Sequence, residues 1–134
     1  MTEPVRTLAL DPELARRIRL VGLDVDGVLT EGGIFLGDVD GRRLEFKRFD
    51  IRDGLGIKML QRAGIDVAII TGRVSDAVAL RARELAITDV VQDEHARKVP
   101  ALRRLLVAKG IAERDVAFVG DDLPDLGVLR IVGL

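Results

Sequence analysis

Four short apolar runs divide the chain, and three of them stop on a polar cluster. Ile18-Arg19-Leu20-Val21-Gly22-Leu23 runs into Asp24-Val25-Asp26-Gly27, Val67-Ala68-Ile69-Ile70 into Thr71-Gly72-Arg73, and Val116-Ala117-Phe118-Val119 into Gly120-Asp121-Asp122; Val90-Val91 is a shorter run. Runs of this length, rich in Val and Ile and bounded by Gly or Asp, read as buried strands. Between them the spacing is helical. Leu55, Ile57, Met59 and Leu60 lie among polar residues from Arg52 to Gly64, where the glycine stops a helix. Asp76 to Leu85 is a second helix with Ser75 placed to cap it, and Pro100 to Lys109 a third, with Pro near its start and Gly110 after its end. A short helix around Pro12–Arg17 closes a polar lead-in, residues 1–17.

Gly32 to Phe49 departs from this rhythm. Ile34-Phe35-Leu36 and Leu44-Glu45-Phe46 flank Gly37-Asp38-Val39-Asp40-Gly41, which is turn chemistry, so this segment reads as a β-hairpin. Elsewhere, strands alternating with amphipathic helices predict a three-layer α/β sandwich around a parallel sheet, in one domain. In such sheets ligands bind beyond the carboxyl ends of the strands. Three polar strand ends on one rim therefore mark a candidate site.

Composition narrows the possibilities. Apolar residues are 48% and charged residues 32% of 134, which is globular rather than disordered. Aromatics are 3%, with no Trp or Tyr, so the core is aliphatic. The net charge of −1 provides no global basic field for nucleic acid. No apolar stretch approaches the length of a membrane span, and the first residues lack the pattern of a secretory signal. Cysteine is absent, which excludes disulfides and thiolate chemistry. That is neutral about compartment though it fits a reducing cytoplasm, and with no span and no signal pattern a cytoplasmic protein is the default expectation.

The acids carry the chemistry. Asp24 and Asp26, one residue apart at a strand end, repel each other unless a cation or a shared proton compensates one of them. Mg²⁺ favours one or two carboxylates with water and phosphate, so a strand-end pair with a distant acidic pair suits it. No Glu follows at the spacing of an EF-hand loop. Taken singly, Gly120-Asp121-Asp122 is a common helix cap, Asp125 a solvated first-turn acid, Thr71-Gly72-Arg73 a turn, Lys98 a solvated lysine before a helix, and His95 a surface residue without a partner.

In order, the chain has a strand followed by DxDG, a strand followed by TGR, a lysine, and a strand followed by GDDxxD. This resembles the haloacid dehalogenase superfamily of phosphohydrolases. Asp24-Val-Asp-Gly-Val-Leu-Thr30, Arg52-Asp-Gly-Leu-Gly-Ile57, Ala68-Ile-Ile-Thr-Gly-Arg73 and Val119-Gly-Asp-Asp-Leu-Pro-Asp-Leu126 resemble its 3-deoxy-D-manno-octulosonate 8-phosphate phosphatase branch, which serves lipopolysaccharide sugar synthesis. The resemblance covers about residues 18–134. It implies a Mg²⁺-dependent phosphatase with Asp24 as nucleophile and metal ligand. Asp26 is then the acid and base, with its backbone carbonyl on the metal. Asp121 completes the metal shell, with Asp122 beside it, and Thr71 and Lys98 hold the phosphoryl oxygens. Asp26, Lys98, Asp50, Ile51, Arg52, Asp53, Gly54, Lys58, Arg73 and Arg81 would face the sugar acid. Lys58 and Arg81 also read as a solvated helix face.

The hairpin stands in place of the large cap domain of other superfamily members, and chains with so little cap form homotetramers in which hairpins pack together. Ile34, Phe35, Leu36 and Phe46 need burial, which favours assembly independently. The chain departs from the family at Gln92, which Asp93 rather than Gly follows, with one extra residue before Lys98. Family members also continue past Leu134 into a further strand and helix. The rival readings are a phosphatase of a nine-carbon sialic-acid-type sugar phosphate, a non-catalytic interaction domain, and a receiver domain. The hairpin directly after the first acidic strand argues against the last.

Overall fold

The computed structural model describes residues 9–134. The first eight positions of the expected lead-in lie outside the described residues. Helix α1 (Pro12–Arg17) starts on Asp11, whose carboxylate accepts from the Glu13 N–H, with Pro12 in the first turn.

Strands β1 (Leu20–Leu23), β4 (Asp66–Thr71), β5 (Asp89–Gln92) and β6 (Val116–Val119) form one parallel sheet in the order β5-β4-β1-β6. The apolar runs are buried on both faces because alternate side chains feed two separate cores. Leu20, Ala68, Ile70, Val116 and Phe118 pack with Ala101, Leu102 and Leu106 of α4 (Lys98–Lys109) and Val128 of α5 (Leu126–Leu129). Leu23, Val67 and Ile69 point the other way. They meet Ile57 of α2 (Ile51–Arg62) and Val78 and Ala82 of α3 (Asp76–Glu84), with Val25, Leu29, Leu85 and Ile87 filling the same core. The three layers follow from this division.

Helix ends match the expected signals in two places and depart from them in two. At the end of α2 the Gly64 N–H donates to the Gln61 carbonyl and the Ile65 N–H to the Leu60 carbonyl, with Gly64 at φ +79°. Gly110 ends α4 in the left-handed conformation. Ser75 sits at the α3 cap position but makes no side-chain bond to the helix; its N–H donates to Gln92 Oε1 at 2.6 Å. Helix α4 begins at Lys98 rather than Pro100, which turns Lys98 inward.

The hairpin comprises β2 (Phe35–Val39) and β3 (Arg42–Phe46), and its turn is only Asp40-Gly41, both with positive φ, so Gly37 to Val39 belong to the strand. Register pairs Phe35 with Phe46, Gly37 with Leu44 and Val39 with Arg42. The apolar side chains on that face, Phe35, Val39, Leu44 and Phe46, are all exposed, and so is Leu36 on the other face. The burial expected for Ile34, Phe35, Leu36 and Phe46 does not occur within one chain. Among the described residues, no helix is long and apolar enough to cross a membrane.

Candidate active site

The three polar strand ends meet at the carboxyl rim of the sheet. They line a cavity of about 320 Å³ with Asp24, Asp26, Thr71, Arg73, Lys98, Asp121 and Asp122 in its wall, joined by Asp125. Asp24 extends β1, and its N–H donates to the Val119 carbonyl of β6, which brings the first and last acidic motifs side by side. The chain then turns sharply: the N–H groups of Val28, Leu29 and Thr30 all donate to the Val25 carbonyl. The Thr30 hydroxyl accepts from the Gly32 N–H at 3.1 Å and fixes the turn.

Two glycines are required here. Gly27 has φ +83°, and a Cβ on it would lie 1.8 Å from Asp121 Oδ2. Only glycine admits the Asp121 carboxylate so close to the DxD turn. A Cβ on Gly120 would lie 2.4 Å from the Asp125 carboxyl carbon.

Lys98 is 5% exposed and Asp125 0%. The readings of Lys98 as a solvated lysine and Asp125 as a solvated acid are therefore corrected. Lys98 Nζ lies 2.5 Å from Asp125 Oδ1 and 3.0 Å from Asp24 Oδ1. Asp125 Oδ2 accepts from the N–H groups of Asp121 and Asp122 at 3.1 and 3.2 Å. Asp125 thus holds both the lysine and the loop that presents Asp121. Burial pushes the Asp24 carboxyl above its ordinary value, and the hydrogen bond from Lys98 offsets part of that rise.

The donor set fits a hard divalent cation. Asp24, Asp121 and Asp125 each bring a carboxylate oxygen within 4.8 Å of the others. Both oxygens of Asp125 are already engaged, so Asp24 and Asp121 are the pair that can ligate, in a site whose remaining positions water and phosphate can fill. Asp122 lines the cavity, but its Oδ1 accepts from the Leu123 N–H at 2.7 Å and caps the short turn Leu123–Asp125.

Known proteins resemble the chain in sequence and fold. The 3-deoxy-D-manno-octulosonate 8-phosphate phosphatase of Escherichia coli K12 is 46% identical over 120 residues, 90% of this chain and 62% of that protein. The enzyme of the same name from Moraxella catarrhalis, solved with a magnesium ion, a phosphate ion and KDO, is 42% identical, with TM-score 0.82 over 90% of this chain and 67% of that one. The cobalt-bound Haemophilus influenzae phosphatase is 37% identical, with TM-score 0.80 over 90% of this chain and 68% of that one. The chain belongs to the 3-deoxy-D-manno-octulosonate 8-phosphate phosphatase family of the haloacid dehalogenase superfamily. It spans about 62% of the length of the curated relatives it matches, and no family model matches it.

Several of the residues expected to face the sugar acid lie outside this cavity. Lys58 donates to the Leu85 carbonyl at 2.7 Å and closes the end of α3. Arg81 donates to the Asp50 carbonyl at 3.0 Å, pairs with Glu84 at 2.8 Å and lies over the Phe49 ring at 5.7 Å. Gly54 packs against Arg81, and Ile51 and Arg52 are exposed at the start of α2. Asp50 caps that helix through the Arg52 N–H, and Asp53 borders a separate small cleft with Asp50 and Arg48. Arg73 does reach the cavity, but its guanidinium is paired: Nε and Nη2 donate to Glu45 Oε2 at 3.0 and 2.6 Å. That pairing holds the Glu45 carboxyl down at about 2.

The sequence reading missed Glu45 and Lys47. Lys47 pairs with Asp26, and its side chain is 0% exposed. The available signal was period two: Glu45 and Lys47 share one face of β3 and its extension, opposite Phe46. The extra residue after Gln92 does not displace Lys98. Asp93 is absorbed locally, accepting from the His95 N–H at 3.0 Å and from Arg97 Nε at 2.9 Å.

Proposed function

We propose that this chain hydrolyses a sugar-acid phosphate monoester, 3-deoxy-D-manno-octulosonate 8-phosphate, with Mg²⁺ bound by Asp24, Asp121 and the Asp26 backbone carbonyl. The observation that carries the reading is the convergence of Asp24, Lys98 and Asp121 in one strand-end cavity. The Moraxella relative, with magnesium, phosphate and KDO bound, supports the ligand set.

In this reading the Asp24 carboxylate attacks phosphorus and the bond to the sugar oxygen breaks. Asp26 donates a proton to that leaving oxygen. Asp26 then takes a proton from water, the water oxygen attacks the aspartyl-phosphate, and phosphate leaves with Asp24 restored. The carboxylate nucleophile splits one difficult displacement into two. Proton transfer by a positioned acid contributes about 10²–10⁴-fold. Lys98 faces the phosphoryl oxygens together with Thr71, and Asp125 keeps Lys98 aimed there. Bound Mg²⁺ supplies charge neutralisation for the transferring phosphoryl.

The exposed apolar face of the hairpin supports assembly into a homotetramer, with hairpins covering one another. The setting implied is lipopolysaccharide sugar synthesis in the cytoplasm. Phosphate release from a panel of sugar phosphates tests the reading. Turnover of 3-deoxy-D-manno-octulosonate 8-phosphate that exceeds that of a nine-carbon sialic-acid-type phosphate and stops with chelator is the expected result. No release from any of them would favour a non-catalytic domain.

A further inference from the structure

Lys47 is a cation with no place in the chemistry above. It sits one residue past β3, its side chain is fully covered, and it stays outside the wall of the phosphate cavity. Covering an ammonium is unfavourable unless acids surround it, and here two do. Lys47 Nζ is hydrogen-bonded to Asp26 Oδ1 and lies 3.4 Å from Glu45 Oε1. Glu45 in turn holds the Arg73 guanidinium, which lines the same cavity. An alternating row, Asp26, Lys47, Glu45, Arg73, therefore runs from the DxD turn to the TGR turn through the hairpin.

Asp26 is 30% exposed at its side chain, and a short carboxylate at a cavity edge has several rotamers open to it. An acid and base loses rate when it wanders by an ångström from its reacting proton. The Lys47 bond uses Oδ1 and leaves Oδ2 without a hydrogen-bond partner among the described residues. We propose that Lys47 is a positioning residue, fixing the Asp26 carboxylate by one oxygen so that the other faces the leaving group, with Glu45 as the anchor that holds Lys47 in place. This rests on the reading of Asp26 as acid and base. It makes the hairpin part of the proton-transfer apparatus as well as a surface for assembly.

The alternative is a plain tether pinning the hairpin to the domain, and a double-mutant cycle separates the two. With the full chain, Mg²⁺ and 3-deoxy-D-manno-octulosonate 8-phosphate, Lys47→Met should lower kcat by about 10–100-fold, within the range of a lost acid–base contribution. KM should move by less than about threefold, because Lys47 does not line the phosphate cavity. Lys47→Arg, which keeps the charge, should recover most of the rate. In an Asp26→Asn background Lys47→Met should cost nothing further. An unchanged kcat in Lys47→Met, or the same loss with and without Asp26, overturns the inference. If Lys47→Met unfolds, the Lys47→Arg variant still decides: melting like the parent with no retained activity would count against positioning by charge. An Asp26→Asn variant as active as the parent would overturn the acid–base reading and this inference together.

Discussion

The rim of the sheet and the hairpin both bury paired charges but treat their apolar side chains in opposite ways. At the rim, Lys98, Asp24 and Asp125 are buried with fixed partners, in a frame set by β1, β6 and α4. On the hairpin, Phe35 and Phe46 are 70% and 60% exposed, while Glu45 and Lys47 turn inward. The usual rule for a two-sided strand is apolar inward and polar outward. Here it is inverted, because the inward neighbours are Asp26 and Arg73, which offer counter-charges rather than apolar surface. Alternation along a strand gives its two faces but not which of them meets the domain.

That contrast can be broken at several points. Asp24→Asn should have the largest effect: turnover falls by about four orders of magnitude or more, as for an essential nucleophile. Its melting temperature should hold or rise, because a desolvated carboxylate is replaced by a neutral isostere. Steady-state kinetics with a thermal melt checks both, and residual activity near the parent's would remove Asp24 as nucleophile.

Asp125→Ala attacks the same region through its support. It leaves Lys98 with half its compensation and frees two N–H groups, those of Asp121 and Asp122. The expected loss is about 3 kcal/mol in urea unfolding, together with most of the activity. A loss under 1 kcal/mol would mean that water replaces Asp125 there.

How far each region could be read from the sequence follows the same division. Sheet, helices and acidic strand ends were legible because each rests on local signals: apolar runs, Gly64 and Gly110 as stops, and acids just past β-runs. Asp125 and Lys98 were legible as motif members but not as a buried pair. That pairing depends on α4 starting at Lys98 and on Gly120 admitting Asp125, both tertiary facts. Arg81 and Lys58 were expected at the sugar, and the structure engages both with backbone carbonyls. A cation on a helix face carries no local mark of whether a carbonyl from another element will come within reach. Ser75 is the smaller instance: the right residue at the cap position, with its N–H bound to Gln92 instead.

Hairpin substitutions sharpen the other side of the contrast. Phe35→Ser with Phe46→Ser should leave the melting temperature of a single chain nearly unchanged, since neither ring is buried in it. If hairpins pack together, light scattering at micromolar concentration should show the parent as an oligomer and this variant as smaller species. A parent that scatters as a monomer would remove the assembly reading.

The smallest effect concerns pH. The Glu45 carboxyl is held at about 2 by Arg73, against an ordinary value of 4.5. A depressed carboxyl stabilises the fold fully above its unfolded value and loses that contribution as pH falls towards its folded one. The expected loss therefore falls between about pH 4.5 and 2. Glu45→Gln should flatten the melting temperature against pH in that window, and an unchanged slope would show that the Glu45–Arg73 pair contributes nothing to stability.

The Phe35–Phe46 cross-strand pair also has an optical consequence. With no Trp or Tyr, the chain's only aromatic chromophores are four phenylalanines, and it is nearly silent in the near ultraviolet. A single Trp in place of Phe46 would be its only strong fluorophore, set on the face the hairpin presents outward. Its emission would report wetting or covering of that face alone, with no background from the core. One substitution would thus convert the hairpin's environment into a colour, readable at concentrations too low for scattering.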